Sequence, residues 1–216
     1  MLINKPYNRE RAVEYALKWA LSRNPLFADF TGIGGNCTNF VSQCILAGSC
    51  TMNYTPTFGW YYISLEERAP AWSSVEYFYD FITGVPRFAE RNGGIGPYAR
   101  EVGREEAQLG DVIQYANADG DWYHTVIITG FDGDEILVSA QSDDARNRRL
   151  SSYGFADLRV LHIEGVRMDI NDDLCFETLL RGEEATQDLQ IQQTPPQQEE
   201  SGASAVSDER PQPPVG

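Results

Sequence analysis

Apolar residues recur at helical spacing in the N-terminal part of the chain. This spacing predicts one helix from residue 8 to residue 23, a second from residue 37 to about residue 48, and a short third helix over residues 72–82. Asn8 is the candidate N-cap of the first helix. Asn24-Pro25 ends that helix, because proline disfavours helical geometry in the residue before it.

The second half of the chain instead shows the short apolar runs of β-strands. They predict strands at residues 109–115, 123–130, 135–141 and 158–166. Asp132-Gly133-Asp134 separates the second strand from the third and is a strong signal for a tight hairpin. The pattern therefore predicts helices in the first part of the chain and strands in the second.

Composition changes near residue 182 and sets the expected domain boundaries. Residues 182–216 are rich in Gln, Pro, Glu and Ser, and they contain seven acidic side chains against one basic side chain, Arg210. Such a segment has too few apolar groups to form a core, so we expect a disordered acidic tail. Residues 1–170 are then expected to form one domain, and residues 171–181 a short helical or irregular extension of it.

The charge balance argues against several kinds of partner. The formal net charge of −15 disfavours nucleic acid or an anionic membrane surface as a main partner. No apolar run reaches the roughly 18 residues that a membrane span needs, and the first residues show no signal peptide. We therefore expect a cytoplasmic location, in which the four cysteines, at positions 37, 44, 50 and 175, are reduced.

Cys37 is the first candidate for chemistry. It follows the glycine-rich turn at residues 32–35 and begins the second predicted helix. A thiol at a helix N-terminus faces unpaired backbone N–H groups and the positive end of the helix dipole, and both favour the thiolate. Free cysteines are more often buried and inert than reactive. Taken alone, Cys37 would therefore be interpreted as a structural residue. A catalytic role also needs a base.

The chain has only two histidines, so the search for that base is short. His124 begins a predicted strand just after a polar loop, at a sheet end, whereas His162 lies in mid-strand, and we favour His124. Gln141 ends the neighbouring strand of the predicted hairpin and is the candidate that orients the imidazole. Asp143 and Asp144 follow it directly and are competing candidates.

The remaining candidates concern metals and the substrate cleft. The first three cysteines lack the paired spacing of zinc ligands and the two histidines are far apart, so neither a metal nor a cofactor is expected. Aromatic residues more often belong to a core than to a cleft wall. With that reservation, the candidates for a substrate cleft are Trp60, Trp122 and Tyr123.

Seven segments between residues 7 and 167 form a specific combination. They are YNRERAV (7–13), GGNCTNFVSQ (34–43), TPTFGWY (55–61), LGDVI (109–113), HTV (124–126), SDD (142–144) and LSSY (150–153). Together they resemble the bacterial putative amidase domain family, within the papain-like cysteine peptidases that include NlpC-type and CHAP-type cell-wall hydrolases. No single segment would be specific by itself.

The resemblance implies an α+β fold with a papain-like core, in which N-terminal helices pack on an antiparallel sheet. It also implies that Cys37 is the nucleophile and His124 the base. It also implies a third polar residue on the next strand, a role that Gln141 fits. Asn36 is a candidate supporting residue: it stands where an acidic residue often precedes the cysteine, which removes a charge that would oppose the thiolate.

The activity implied by the resemblance is hydrolysis of an amide bond through a thioacyl-enzyme, with a peptide or a peptidoglycan-stem peptide of the cell wall as substrate. The acidic charge fits poorly with tight binding to an anionic cell wall, so a cytoplasmic peptide or small amide stays open as the substrate. Two other functions stay open: a catalytically silent papain-like binding module with a partner-docking tail, and an acyltransferase that uses the same cysteine and histidine.

Overall fold

The computed structural model describes residues 2–168 and 175–182. The strands of these residues form one antiparallel sheet and are β1 (Ile3–Lys5), β2 (Gly96–Val102), β3 (Val112–Ala116), β4 (Trp122–Asp132), β5 (Glu135–Ala140), β6 (Ala145–Arg149) and β7 (Asp157–Met168). Their order is β1-β7-β3-β4-β5-β6, and β2 also pairs with β7.

Six helices accompany the sheet in the described part of the chain. They are α1 (Arg9–Trp19), α2 (Cys37–Ser49), α3 (Pro70–Ser73), α4 (Val75–Ile82), α5 (Pro86–Ala89) and α6 (Cys175–Arg181). The α+β class and the antiparallel sheet that the family resemblance implies are confirmed.

Predicted and observed elements largely agree, and the differences have local causes. α1 begins as predicted, because Asn8 is its N-cap and accepts a hydrogen bond from Arg11 N (3.0 Å). The third predicted helix is instead two helices, α3 and α4, because Ser74 between them has an extended backbone (φ −107°, ψ 133°). β4 and β5 are joined by the predicted hairpin turn, in which Gly133 has φ 63°.

The hydrophobic pattern does not predict β2 and β6. β2 begins with Gly96 and Pro97, and β6 is almost entirely polar, so neither shows the alternation that identifies a strand. Their neighbours explain why they form: β2 pairs with β7 along its whole length, and β6 is an edge strand whose polar side chains face water.

Both faces of the sheet are covered. The helices pack on the first face, around fully buried aromatic side chains that include Trp60 and Trp72. The second face carries a smaller core that includes Tyr115 and Val126, with Tyr153 and Phe155 packed against it. Because neighbouring residues of a strand point to opposite faces, β4 contributes alternate side chains to the two cores.

A disulfide bond joins Cys50, at the C-terminal end of α2, to Cys175, the first residue of α6. α6 also buries Phe176 and Leu179 in the first core. The expectation that all four cysteines are reduced is therefore wrong, since helix packing brings together two cysteines that no local pattern relates.

The end of the chain is described only in part. Residues 175–181 of the predicted extension form α6. The predicted acidic tail, apart from Gly182, lies outside the described residues. None of the helices within the described ranges combines the length and the apolar character that crossing a membrane requires.

Candidate active site

Cys37 is the first residue of α2, and the N-terminus of this helix has no side-chain cap. Asn36 is the N-cap residue, but its Oδ1 accepts hydrogen bonds from Phe30 N (3.0 Å) and Asn39 Nδ2 (2.8 Å). Its Nδ2 donates to Gln141 Oε1. The first backbone N–H groups of α2 therefore remain available to stabilise negative charge at Cys37, on the sulfur or on a reacting carbonyl oxygen.

The turn before Cys37 requires glycine. Gly34 and Gly35 have φ of 122° and 99°, values that residues with a Cβ rarely adopt. The turn lies against Ser142, whose Oγ accepts a hydrogen bond from Asn36 N and would lie 3.3 Å from a Cβ at Gly35. Ser142 itself has φ 88°, which is unusual for serine. Ser142 lies in one of the segments that carry the family resemblance, but sequence reasoning gives it no role in the site, because its contact is with a turn 106 residues away.

A pair of buried hydroxyl groups joins α2 to β4 beside both predicted catalytic residues. Thr38 Oγ1 and Thr125 Oγ1 lie 3.0 Å apart, and these residues directly follow Cys37 and His124 in the sequence. The structure thus brings the two chain segments together. Within the described residues no hydrogen bond joins the Cys37 and His124 side chains, and Cys37 Sγ has Thr38 Oγ1 as its partner at 3.8 Å. The pairing of thiol and imidazole stays a prediction.

His124 lies among aromatic rings on the second face of the sheet. Its ring centroid is 5.7 Å from that of Tyr115 and 6.3 Å from those of Tyr123 and Tyr153. Its Nε2 is buried and has no hydrogen-bond partner among the described residues. Buried polar atoms without a partner are uncommon in folded proteins, and this one belongs to the ring that the sequence predicts to be the base.

Burial controls the protonation state of His124. Loss of solvation lowers its pKa to about 4; the carboxylate of Asp143 acts in the opposite direction, and the guanidinium of Arg148 lowers the pKa further. The imidazole is therefore neutral at neutral pH, which is the form that accepts a proton. A neutral imidazole forms no ion pair with a thiolate, so stabilisation of a Cys37 thiolate depends on other groups.

The lowered pKa predicts that His124 reduces folding stability in acid. The unfolded chain takes up a proton on this residue below about pH 6.5, whereas the folded protein does so only near pH 4. Between these pH values the free energy of unfolding should fall by up to about 3 kcal/mol because of His124 alone. Urea unfolding of wild type and His124→Gln across this range measures the difference. Equal pH dependence in the two proteins would contradict a buried, neutral imidazole.

The register of the β4–β5 hairpin decides which residue lies opposite His124. The observed pairing, extended past the end of β5, places Gln141 opposite Thr125 and Ser142 opposite His124. Gln141 therefore follows the neighbouring strand, as predicted. Its side chain, however, lies on the face that the helices cover, whereas the His124 ring lies on the other face.

The amide of Gln141 forms hydrogen bonds that do not involve His124. Its Nε2 donates to the carbonyl oxygens of Trp19 (2.8 Å) and Ser22 (2.7 Å) at the end of α1, and its Oε1 accepts from Asn36 Nδ2. In this structure Gln141 therefore holds the end of α1 and the residue before Cys37. An orienting bond from Gln141 to His124 stays a prediction, and it requires a different side-chain conformation.

The two competing aspartates differ in their contacts. Asp143 forms an ion pair with Arg148 (2.6 Å), and its charge acts on the imidazole of His124. Asp144 accepts hydrogen bonds from both terminal guanidinium nitrogens of Arg23 (3.0 Å each). Asp143 is therefore the acidic candidate that influences the imidazole, while Asp144 anchors the turn after β5 to the segment that follows α1.

The three aromatic candidates for a substrate cleft lie in different surroundings. Trp60 is 0% exposed and donates through Nε1 to a serine hydroxyl of α2 (3.0 Å), so it belongs to the core and not to a cleft. Trp122 is half-buried, with the guanidinium carbon of Arg159 4.0 Å from its ring centroid. Tyr123 is 47% exposed and donates to the carbonyl oxygen of Gly154 (3.0 Å). Only the last two can contact a substrate in this conformation.

The second histidine belongs to an ion-pair cluster in another part of the sheet. His162 Nδ1 lies 2.9 Å from Asp111 Oδ2, and Arg9 Nη1 lies 2.6 Å from Asp111 Oδ1. Asp111 is fully buried and also accepts hydrogen bonds from two backbone N–H groups. The cluster ties α1 to β3 and β7, so His162 has a structural role, and His124 remains the candidate base.

Comparisons with known proteins give one family match and one curated relative. The model of the family described as putative amidase domain matches residues 6–162. "Uncharacterized protein YhbB" of Bacillus subtilis (strain 168) is 34% identical over 146 residues, which cover 66% of this chain and 43% of that protein, so the chain spans less than half of this relative. No solved structure matches the chain. Because the family match extends from the start of α1 into β7, the chain belongs to the putative amidase domain family.

Proposed function

We propose that the protein is a cysteine amidase in which Cys37 is the nucleophile and His124 the general base. The observation that carries this proposal is that the four cysteines, all within the described residues, differ in their pairing and in their surroundings. Cys50 and Cys175 form the disulfide, and burial raises the pKa of the Cys44 thiol well above its usual value. Cys37 is left as the free thiol at the start of a helix that has no side-chain cap.

The finer assignment to papain-like hydrolases of the NlpC or CHAP type is part of the same proposal. It is supported by a thiol at a helix N-terminus and by an antiparallel sheet packed against that helix. A further support is a histidine on β4, the strand whose Thr125 contacts Thr38 of that helix, because a cysteine hydrolase needs a base in addition to its thiol.

The proposed reaction has two steps. In the first, Cys37 transfers its proton to His124, and Sγ forms a bond to the amide carbonyl carbon while the first N–H groups of α2 stabilise the charge on the oxygen. The C–N bond breaks as His124 gives the proton to the amine, which leaves a thioacyl-enzyme. In the second step, His124 takes a proton from water, the water oxygen attacks the carbonyl carbon, and the proton returns to the departing sulfur.

The proposed substrate is a peptide or a peptidoglycan-stem peptide. The family description supports an amide as the reacting group. The net charge of −15 disfavours adhesion to an anionic polymer, so short, soluble stem peptides are better candidates than the intact wall.

Iodoacetamide labelling tests the nucleophile without a known substrate. In Cys44→Ala, Cys37 is the single remaining free thiol, and at neutral pH it should react about 10-fold faster than an ordinary thiol. Mass spectrometry of the digested protein locates the label. The proposal fails if Cys37 reacts no faster than a free thiol of a small peptide.

Incubation with peptidoglycan fragments and simple peptides, followed by mass spectrometry, tests the reaction itself. Hydrolysis adds the mass of water to the products, whereas acyl transfer to an added amine gives a new amide. A silent binding module leaves every substrate unchanged, and Cys37→Ala is the control for all three outcomes.

A further inference from the structure

A continuous chain of buried hydrogen bonds runs from Arg159 to the sulfur of Cys37. Arg159 Nε donates to Gln114 Oε1 (2.7 Å), and Gln114 Nε2 lies 3.3 Å from Thr125 Oγ1. Thr125 Oγ1 lies 3.0 Å from Thr38 Oγ1, which in turn lies 3.8 Å from Cys37 Sγ. All the residues of this hydrogen-bond chain are buried, so water does not compete for its bonds.

Chemistry determines the direction of the bonds at Arg159 and Gln114. Arginine can only donate, so the atom of Gln114 that faces it is the carbonyl oxygen, and the amide nitrogen must donate. This nitrogen donates to Val75 O (2.9 Å) and to Thr125 Oγ1. Because Thr125 accepts that bond, its own proton is available for Thr38 Oγ1. The Thr38 proton is then available for Cys37 Sγ.

The chain begins at a buried cation. Arg159 is 7% exposed and lies between two rings, with its guanidinium carbon 3.6 Å from the centroid of Tyr79 and 4.0 Å from that of Trp122. Its carboxylate partner, Glu76, is 3.5 Å from Nη2 and has a side chain that is 52% exposed. A buried positive charge whose counter-ion is largely solvated polarises the hydrogen bonds that start from it.

We infer that Thr38 is a positioning residue for Cys37 and that the buried chain behind it keeps its hydroxyl proton directed at the sulfur. A donated hydrogen bond is stronger to a thiolate than to a thiol, so the chain favours the thiolate. The inference rests on the proposed role of Cys37 as nucleophile. The Thr38 hydroxyl supplies the charge stabilisation that the neutral imidazole does not provide.

The test is the pH at which Cys37 ionises in the full chain. The ultraviolet absorbance of the thiolate measures it, as the difference between each protein and the same protein carrying Cys37→Ala. Thr38→Val removes the terminal donor but keeps the shape, and should raise this pH by about one unit, a roughly tenfold lower ratio of thiolate to thiol. Thr125→Val keeps the Thr38 hydroxyl and removes only its hydrogen-bond partner, so the pH at which Cys37 ionises should rise by less. Thr38→Ser keeps the hydroxyl and should behave as wild type.

Thr129→Val is the matched control. Thr129 lies on the same strand as Thr125, is buried, and loses a similar hydroxyl contact, with Ser139 Oγ (2.9 Å). Thr129 is not part of the hydrogen-bond chain that ends at Cys37, so Thr129→Val should not change the ionisation of Cys37.

The outcomes separate this inference from the proposed function. Unchanged ionisation in Thr38→Val and Thr125→Val would overturn the hydrogen-bond chain while Cys37 remains the nucleophile. If Thr38→Val does not fold, Thr125→Val decides by the same criterion. A wild-type Cys37 that labels no faster than an ordinary thiol would overturn both proposals.

Discussion

Replacing His124 by alanine should lower kcat/KM for amide cleavage by about 10²–10⁴-fold, the usual contribution of a general base. The neutral imidazole accepts the proton of Cys37 in the proposed reaction, and alanine leaves that proton without an acceptor. Product formation followed by mass spectrometry measures the loss. Labelling of Cys37 should persist in this variant, because neither the helix N-terminus nor the Thr38 hydroxyl depends on the imidazole.

Gln141→Ala is the informative comparison for His124→Ala. The amide of Gln141 bonds to Asn36 and to the end of α1, so its removal should reduce stability and should lower kcat/KM by much less. An equal loss of kcat/KM would show that Gln141 orients the imidazole once substrate is bound. Asp144→Asn is the control, because Asp144 pairs with Arg23 and should leave kcat/KM unchanged.

Removing the disulfide bond should lower the free energy of unfolding by about 2–5 kcal/mol. Cys50 and Cys175 are 125 residues apart, so the bond closes a loop that contains most of the sheet and strongly restricts the unfolded chain. Guanidinium unfolding of Cys175→Ala and wild type, followed by tryptophan fluorescence, measures the difference. kcat/KM should be unchanged, because Cys50 lies at the opposite end of α2 from Cys37.

A reducing agent provides the control for the disulfide. Wild type in reducing buffer should lose the same stability as Cys175→Ala, and the variant should lose none. If reduction leaves wild type unchanged, the buried side chains of Phe176 and Leu179 are sufficient to hold α6 in place, and the expected contribution of the bond is contradicted.

Features that depend on a few neighbouring residues could be predicted from the sequence. α2 begins at Cys37 as predicted, because a glycine turn is followed by apolar residues at helical spacing. The Asp-Gly turn likewise predicts the hairpin of β4 and β5, and the change of hydrophobic period predicts the strands that follow residue 109. The prediction of one helix over residues 72–82 is less accurate. No clear sequence signal marks Ser74, whose extended backbone separates α3 from α4.

The candidate site was harder to predict, because its contacts join distant segments. Sequence reasoning places Gln141 on the strand next to that of His124. A register shift in the hairpin and the alternation of side chains, however, direct its amide to the helices. The contact of Ser142 with the glycine turn and the pairing of Thr38 with Thr125 also depend on how α2 packs on the sheet. The same packing creates the disulfide.

The hydrogen bonds of Gln141 have a consequence for the surface loop that precedes α2. They hold the carbonyls of Trp19 and Ser22 at one end of that loop and Asn36 at the other. Residues 23–35 are thus closed at their base by one amide, that of the residue directly after β5. Exposed positions of this loop such as Ile33 should therefore tolerate substitution without displacing Cys37, whereas Gly34, Gly35 and the buried Phe30 should not.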